Sequence, residues 1–277
     1  MNSMTISSPV SSISRKEIAD HIKEASGTKY DLFWQEVDGF LMLLPDDKAI
    51  AAAIKANYRE PFEYETMLSV IKPGMTVVDA GACVGSYTLQ MAKAVGPNGK
   101  VIAIEPDVLN YELMQVNCEI NGFDNVEMHQ VALSDHSHPT VMGSGVDNVG
   151  DNVIGATDRG EVKTVWATTL DQIMCGRKID FMKMDIQGME VAALHGGKDS
   201  LARSPRSDLL VEYCPVCIEA CGSTRVEFAE LLFSLYSSVG NLAIIAGQFG
   251  MLKLSKEQVI NMQGHTEDFY VNLWCRK

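Results

Sequence analysis

From residue 75 onward, apolar runs and amphipathic stretches alternate along the chain with a regular rhythm. Apolar runs at 75–80, 100–104, 126–132, 179–185, 208–213, 241–246 and 268–276 read as strands. Stretches at 84–95, 107–120, 187–203 and about 223–238 carry helical spacing. Runs such as "KVIAIEP" and "IDFMKMD" are apolar almost throughout, which suits strands covered on both faces of a mostly parallel sheet. Upstream, "SRKEIADHIKEA" (14–25) predicts a helix capped by Ser14, with Glu17 in the capping-box position. A strand is expected at 39–45 and a helix at 46–58. The Ser-rich 1–13 reads as a flexible tail, 14–60 as an extension, and 61–277 as one α/β domain. The stretch 134–162, rich in Gly, Asp, Ser and Asn, is too long for an ordinary connection and is expected to be a mobile lid or binding loop.

Composition narrows the partners. A formal net charge of −13 and a pI near 4.9 weigh against a nucleic-acid partner, because phosphate-backbone affinity comes from clustered Lys and Arg. A small-molecule partner suits the balance better, and a homo-oligomer is left open. The most apolar long stretch, 231–247, is interrupted by Ser237, Ser238, Gly240 and Asn241, so no membrane span is expected. Seven scattered cysteines and no secretory leader point to reduced thiols in a cytoplasmic protein.

The chemistry concentrates in "VVDAGACVGSYTL" (77–89). A strand runs into a small-residue turn, Gly81-Ala82-Cys83-Val84-Gly85, and then into a helix. At the switch point of a doubly wound sheet such a turn faces a ligand, and Gly81 and Gly85 allow close backbone approach. A tight turn that only packs helix on strand is the plainer alternative. Glu105, followed by Pro106, ends the second strand 20 residues after Gly85, where a nucleoside's ribose hydroxyls want a bidentate acceptor. The dinucleotide fingerprint needs a glycine where Cys83 stands, and Asp79 would repel a pyrophosphate. Asp79 would instead hold an ammonium, directly or through water. A ribose and an ammonium without phosphate describe S-adenosylmethionine.

These segments, with "VIAIEPDVLNYELMQVNCEINGF", "NVEMHQVALSD", "TTLDQI" and "IDFMKMDIQGMEVAALHGG", resemble in order and spacing the FkbM family of S-adenosylmethionine-dependent methyltransferases, over roughly 60–215. The resemblance implies a class I methyltransferase (Rossmann-like) fold with seven strands, the last antiparallel. It implies O-methylation of hydroxyls on polyketides, sugars and related secondary metabolites. By the same likeness Asp79, Gly81, Ala82, Val84 and Gly85 form the cofactor turn, Glu105 and Pro106 the ribose site, and Val131 and Ala132 the adenine pocket. Glu63 would cap the cofactor's methionine end, and Asn148 would lie in the substrate loop. The chain departs from the family's pattern at Cys83 (usually Asn), Gln187 (usually an acid) and Met189 (usually Ala).

Asp185 ends the fourth strand, beside the expected sulfonium, and is the first candidate for general base. Its alternative role is N-cap of a helix beginning near Gln187. A divalent ion such as Mg²⁺ could join it, but the missing acid at Gln187 favours a metal-free site. Glu212, in "LLVEY", and His136, in the loop after the third strand, are further catalytic candidates. Lys183 pairs with Glu212 or faces the substrate. "CPVC" at 214–217 with Cys221 lacks a fourth ligand for structural zinc. The expectation is an O-methyltransferase for a small metabolite. Its rivals are an N-methyltransferase of the same fold, a catalytically silent cofactor-fold subunit and an NAD-dependent oxidoreductase, the last opposed by Cys83.

Overall fold

The computed structural model describes residues 14–49, 61–145, 147–245, 248–262 and 269–277. The expected tail and most of the helix expected over 46–58 lie outside the described residues. The chain opens with α1 (Arg15–Ser26), where Ser14 and Glu17 form the expected capping box. A hairpin follows, β1 (Leu32–Val37) and β2 (Phe40–Pro45). Next come α2 (Pro61–Val70), β3 (Thr76–Ala80), α3 (Ser86–Val95), β4 (Lys100–Ile104), α4 (Val108–Ile120) and β5 (Val126–His129).

The chain then leaves the main sheet for β6 (Ala132–Leu133), β7 (His138–Gly143), β8 (Val153–Ile154) and β9 (Val162–Thr168). It returns through α5 (Leu170–Met174), β10 (Phe181–Met184), α6 (Glu190–Gly196), α7 (Lys198–Arg203), β11 (Asp208–Tyr213), α8 (Pro215–Ala220) and α9 (Arg225–Leu235). It closes with β12 (Ser238–Ile245), β13 (Gln248–Lys253), α10 (Lys256–Ile260) and β14 (Val271–Arg276).

The main sheet runs β13-β12-β14-β11-β10-β3-β4-β5. Strands β5, β4, β3, β10 and β11 are parallel neighbours, and β14 is antiparallel to β11, as expected. Leaving aside β13, the other seven strands make the expected methyltransferase sheet. The eighth, β13, pairs antiparallel with β12 and was not anticipated. Fully buried Val78, Ile102, Met182, Leu209 and Val211 line one face, while Val77, Val101, Phe181 and Leu210 line the other. The near-continuous apolar runs follow from this double coverage.

Two expectations need correction. The stretch 134–162 is not one mobile loop: β7 pairs with β9 over six residue pairs and with β8 over two. Its polar and glycine-rich composition hid the strands because much of this small sheet is only half-buried. The helix expected over 187–203 is broken at Gly197. A Cβ there would come within 2.8 Å of the Leu170 side chain, so the small residue lets α5 pack against the break.

The extension is hydrogen-bonded into the domain. Asn117 on α4 accepts from the Leu43 amide at 2.6 Å and donates to the carbonyls of Leu43 and Val84. One turn on, Asn121 does the same for Leu41. The two side-chain amides stand in for a neighbouring strand, satisfying backbone groups of β2 that burial would otherwise leave costly. Thus the hairpin is held over the carboxyl ends of β3 and β4.

Candidate active site

The turn after β3 is built for contact with protein before any ligand. Gly81 has φ 81°, and a Cβ there would collide with the Asp185 carbonyl oxygen, so only glycine lets β3 and β10 run together at this point. Gly85 is the left-handed N-cap of α3, and a Cβ would press on the Met114 side chain at 3.2 Å. At both glycines the close approach expected for a ligand is also a close approach between elements. Cys83 also sits in the left-handed region, at φ 49°. Asn tolerates that region better than most residues, so the family's usual Asn fits the same backbone.

Glu105 joins the turn to the second strand. Its Oε2 accepts from the Cys83 amide and its Oε1 from the Asp107 amide, each at 2.9 Å. Burial pushes its pKa up to about 7. Asp107 caps α4 through Asn110 and receives the Lys163 ammonium at 2.9 Å.

A cavity of about 570 Å³ opens here, lined by Gly81, Ala82, Val84, Glu105, Pro106, Val131, Ala132, Asn148, Lys183 and Asp185 among others. Ten of the residues singled out by sequence thus share one wall system. Asp79, Gly85, Glu63, Glu212 and His136 do not line it. Asp79 is fully buried beside its strand neighbour Lys183 and accepts from the Thr88 hydroxyl at 2.6 Å. Burial raises its pKa, with the Lys183 charge working in the opposite direction. Asp79 Oδ1 has no hydrogen-bond partner among the described residues. Glu63 accepts from the Asn272 amide at 2.8 Å. His136 is exposed, paired with Asp135 at 2.6 Å and stacked on His138, away from the cavity, and this geometry offers it no catalytic contact.

Asp185 does line the cavity, with its side chain about one-third exposed. It is not a helix cap: α6 begins at Glu190 behind Met189, and the Ile186 amide is taken by Glu190 Oε1 at 3.1 Å. The Asp185 carboxylate is instead held on both oxygens. Lys183 Nζ reaches Oδ2 at 3.2 Å, and Gln187 Nε2 donates to Oδ1 at 2.9 Å. Lys183, expected to pair with Glu212 or face the substrate, lies buried between Asp185 and the Tyr87 ring, 4.5 Å from the centroid, while lining the cavity.

Sequence reasoning missed the rest of the enclosure. Gln35, Glu36, Val37 and Asp38 at the hairpin tip line one side, and Met42 and Leu44 continue it. Tyr64 stacks on Tyr87 at 4.4 Å, and both rings face the cavity. The segment 148–152 closes another side, latched where Val149 donates to the buried Asp47 and accepts from Asn110, both at 2.8 Å. The aromatic two residues after Gly85 was a readable signal; the hairpin's reach across the chain was not.

The thiols also depart from expectation. Cys214 and Cys217 form a disulfide at the start of α8, while Cys221 is free and donates to the Gln187 carbonyl at 3.6 Å. Among the described residues no helix is long and apolar enough to cross a membrane.

Solved structures with a related course include a SAM-dependent methyltransferase from Aquifex aeolicus (18% identity, TM-score 0.41, 82% of this chain and 97% of that one). Another is a SAM-dependent O-methyltransferase from Thermotoga maritima (14% identity, TM-score 0.45, 88% of this chain and 77% of that one). Among curated proteins, the ribosomal RNA large subunit methyltransferase E of Vesicomyosocius okutanii is 41% identical over 70 residues, 24% of this chain and 32% of that protein. The protein of the same name from Acinetobacter baumannii is 43% identical over 63 residues, 21% of this chain and 29% of its own length. The chain therefore spans about a third of the curated relatives it matches, and their names run against the expectation that nucleic acid is excluded. Residues 79–235 match the family model described as "Methyltransferase FkbM domain", more than half of the chain. The chain belongs to the FkbM family of S-adenosylmethionine-dependent methyltransferases.

Proposed function

We propose that this methyltransferase acts on a hydroxyl of a small metabolite, with Asp185 as the general base. The observation that carries the reading is Asp185 itself, held on both carboxylate oxygens at the wall of a cavity of about 570 Å³. That volume lies within the ~300–1,000 Å³ usual for small-ligand sites, and the walls made by the hairpin and segment 148–152 suit a small acceptor.

The residues fit the cofactor. Glu105 presents a carboxylate at the end of β4 for ribose hydroxyls, and Val131 and Ala132 offer an apolar wall for adenine. S-adenosylmethionine supplies, when bound, a methyl group made electrophilic by sulfonium. The chain's part is to hold the acceptor oxygen in line, to exclude water with the hairpin and Tyr64, and to receive the hydroxyl proton at an Asp185 oxygen. No divalent ion is needed for that proton transfer. A cytoplasmic location belongs to the same reading; five free cysteines favour it, and the Cys214–Cys217 disulfide runs against it.

A second reading, methylation of RNA, is favoured by the curated relatives' names. The net charge of −13 and the acidic hairpin tip, Glu36 and Asp38, oppose it. The test is methyl transfer from labelled S-adenosylmethionine to a panel of hydroxylated metabolites, amines and ribosomal RNA, read by mass. Turnover confined to the hydroxylated compounds is expected. Transfer to RNA or amines alone would contradict the proposal. Cofactor binding with no transfer to any of them would favour a silent binding subunit.

A further inference from the structure

Asp185 and Glu212 stand side by side at the carboxyl ends of the parallel neighbours β10 and β11, one residue beyond the register pair Met184 and Val211. Two carboxylates this close repel, and such pairs are ordinarily relieved by a cation, by a shared proton or by a donor between them. Here the donor is Gln187. Its Nε2 lies 2.9 Å from Asp185 Oδ1 and 3.4 Å from Glu212 Oε1. An amide nitrogen carries two hydrogens, one for each acceptor, and the opposite rotamer would turn a carbonyl oxygen toward both carboxylates.

The backbone is shaped to place this amide. Gln187 has φ 52°, a conformation that L side chains seldom adopt. Its carbonyl is held by the Cys221 thiol at 3.6 Å. The next residue, Gly188, has φ 102°, and a Cβ there would collide with the Cys217 carbonyl and lie 2.7 Å from the Cys221 sulfur. Helix α8 thus clamps the turn, and the turn aims the amide. On its other oxygen, Asp185 meets Lys183.

We propose that Gln187 is a positioning residue that takes the place of a metal cation between Asp185 and Glu212: its side-chain amide holds the two carboxylates together and orients Asp185 toward the cavity. The inference rests on the reading of Asp185 as base, but its test does not use turnover. Gln187→Glu keeps the side chain's length and exchanges the donor for a third carboxylate. Three carboxylates at one point make a hard-cation site, whose affinity rises with ligand charge.

The experiment measures Mn²⁺ binding by calorimetry and by loss of the free-ion electron paramagnetic signal, together with melting temperature. It is run on full-length wild type and on Gln187→Glu, with S-adenosylhomocysteine present. Gln187→Glu should bind Mn²⁺ at least about tenfold more tightly than wild type. It should melt lower than wild type without metal and recover with it. Gln187→Asn, which keeps the amide on a shorter arm, should gain no Mn²⁺ affinity.

Equal Mn²⁺ binding by wild type and Gln187→Glu would overturn the proposal, since the amide would then not be standing in for a cation. A Gln187→Glu protein that melts like wild type and gains no metal would overturn it as well, because no carboxylates would be converging there. Absence of S-adenosylhomocysteine binding in wild type would instead strike at the methyltransferase reading, which separates the two failures.

Discussion

Asp185 and Gly81 show how single residues carry the site. The carbonyl of Asp185 occupies the space a Gly81 side chain would need, while its carboxylate faces the cavity under the grip of Lys183 and Gln187. Backbone role and chemical role are thus separable, and the substitution Asp185→Asn isolates the second. Because Asp185 caps no helix, the substitution loses little beyond a charge-assisted contact with Lys183, about 1.5–3 kcal/mol. Turnover with any accepted hydroxyl substrate should fall by about 10²–10⁴-fold, the usual worth of a positioned general base. The check is kcat beside the melting temperature. A variant that melts and turns over like wild type would remove Asp185 from the chemistry.

At the scale of elements, two acids sit buried where strands hand over to helices. Glu105 follows β4 and Glu190 opens α6, and burial pushes each up to about 7. In the unfolded chain such groups titrate near about 4.3, so the native state keeps protons that the unfolded chain has already lost. Their contribution to stability is therefore fully present below about pH 4 and is lost as pH rises through about 7. One Glu190 oxygen has no hydrogen-bond partner among the described residues, whereas the other holds the Ile186 amide. Glu190→Gln retains that acceptor and cannot ionise. At about pH 8 it should be more stable than wild type by about 3–4 kcal/mol, with the difference falling to about 1 kcal/mol near about pH 5 and vanishing below about pH 4. Melting curves of the ligand-free protein across that range provide the check, and a gap that does not change with pH would contradict the burial argument.

The same scale shows what the sequence could reveal. Strands β3, β4, β10 and β11 were legible because burial on both faces leaves a run of apolar residues that few other structures produce. Glu105 was legible because its distance from the turn is set by one strand-helix-strand unit. The hairpin over the cavity was not legible, since its place depends on Asn117 and Asn121, some 74 to 80 positions away in the chain. The small sheet of β6 to β9 was masked by the turn residues between its short strands. Gly81 was legible only in part: the spacing marks a close approach and Gly81 lines the cavity, but only the fold shows that the Asp185 carbonyl approaches it as well.

For the molecule as a whole, the parts converge on one cavity. The sheet's carboxyl edge supplies Glu105, Lys183 and Asp185, the amino-terminal hairpin roofs it, and segment 148–152 is latched across it. The central claim is that this cavity receives S-adenosylmethionine, and calorimetry of the wild-type protein with S-adenosylhomocysteine and with NAD tests it most directly. S-adenosylhomocysteine should bind and raise the melting temperature, because it associates with the native state alone. Glu105→Gln should weaken it by about 1.5–3 kcal/mol, the range for a hydrogen bond to a charged group. NAD should show no heat of binding, since Cys83 crowds the position where a pyrophosphate would lie. Tighter binding of NAD than of S-adenosylhomocysteine, or no binding of the latter at all, would contradict the account.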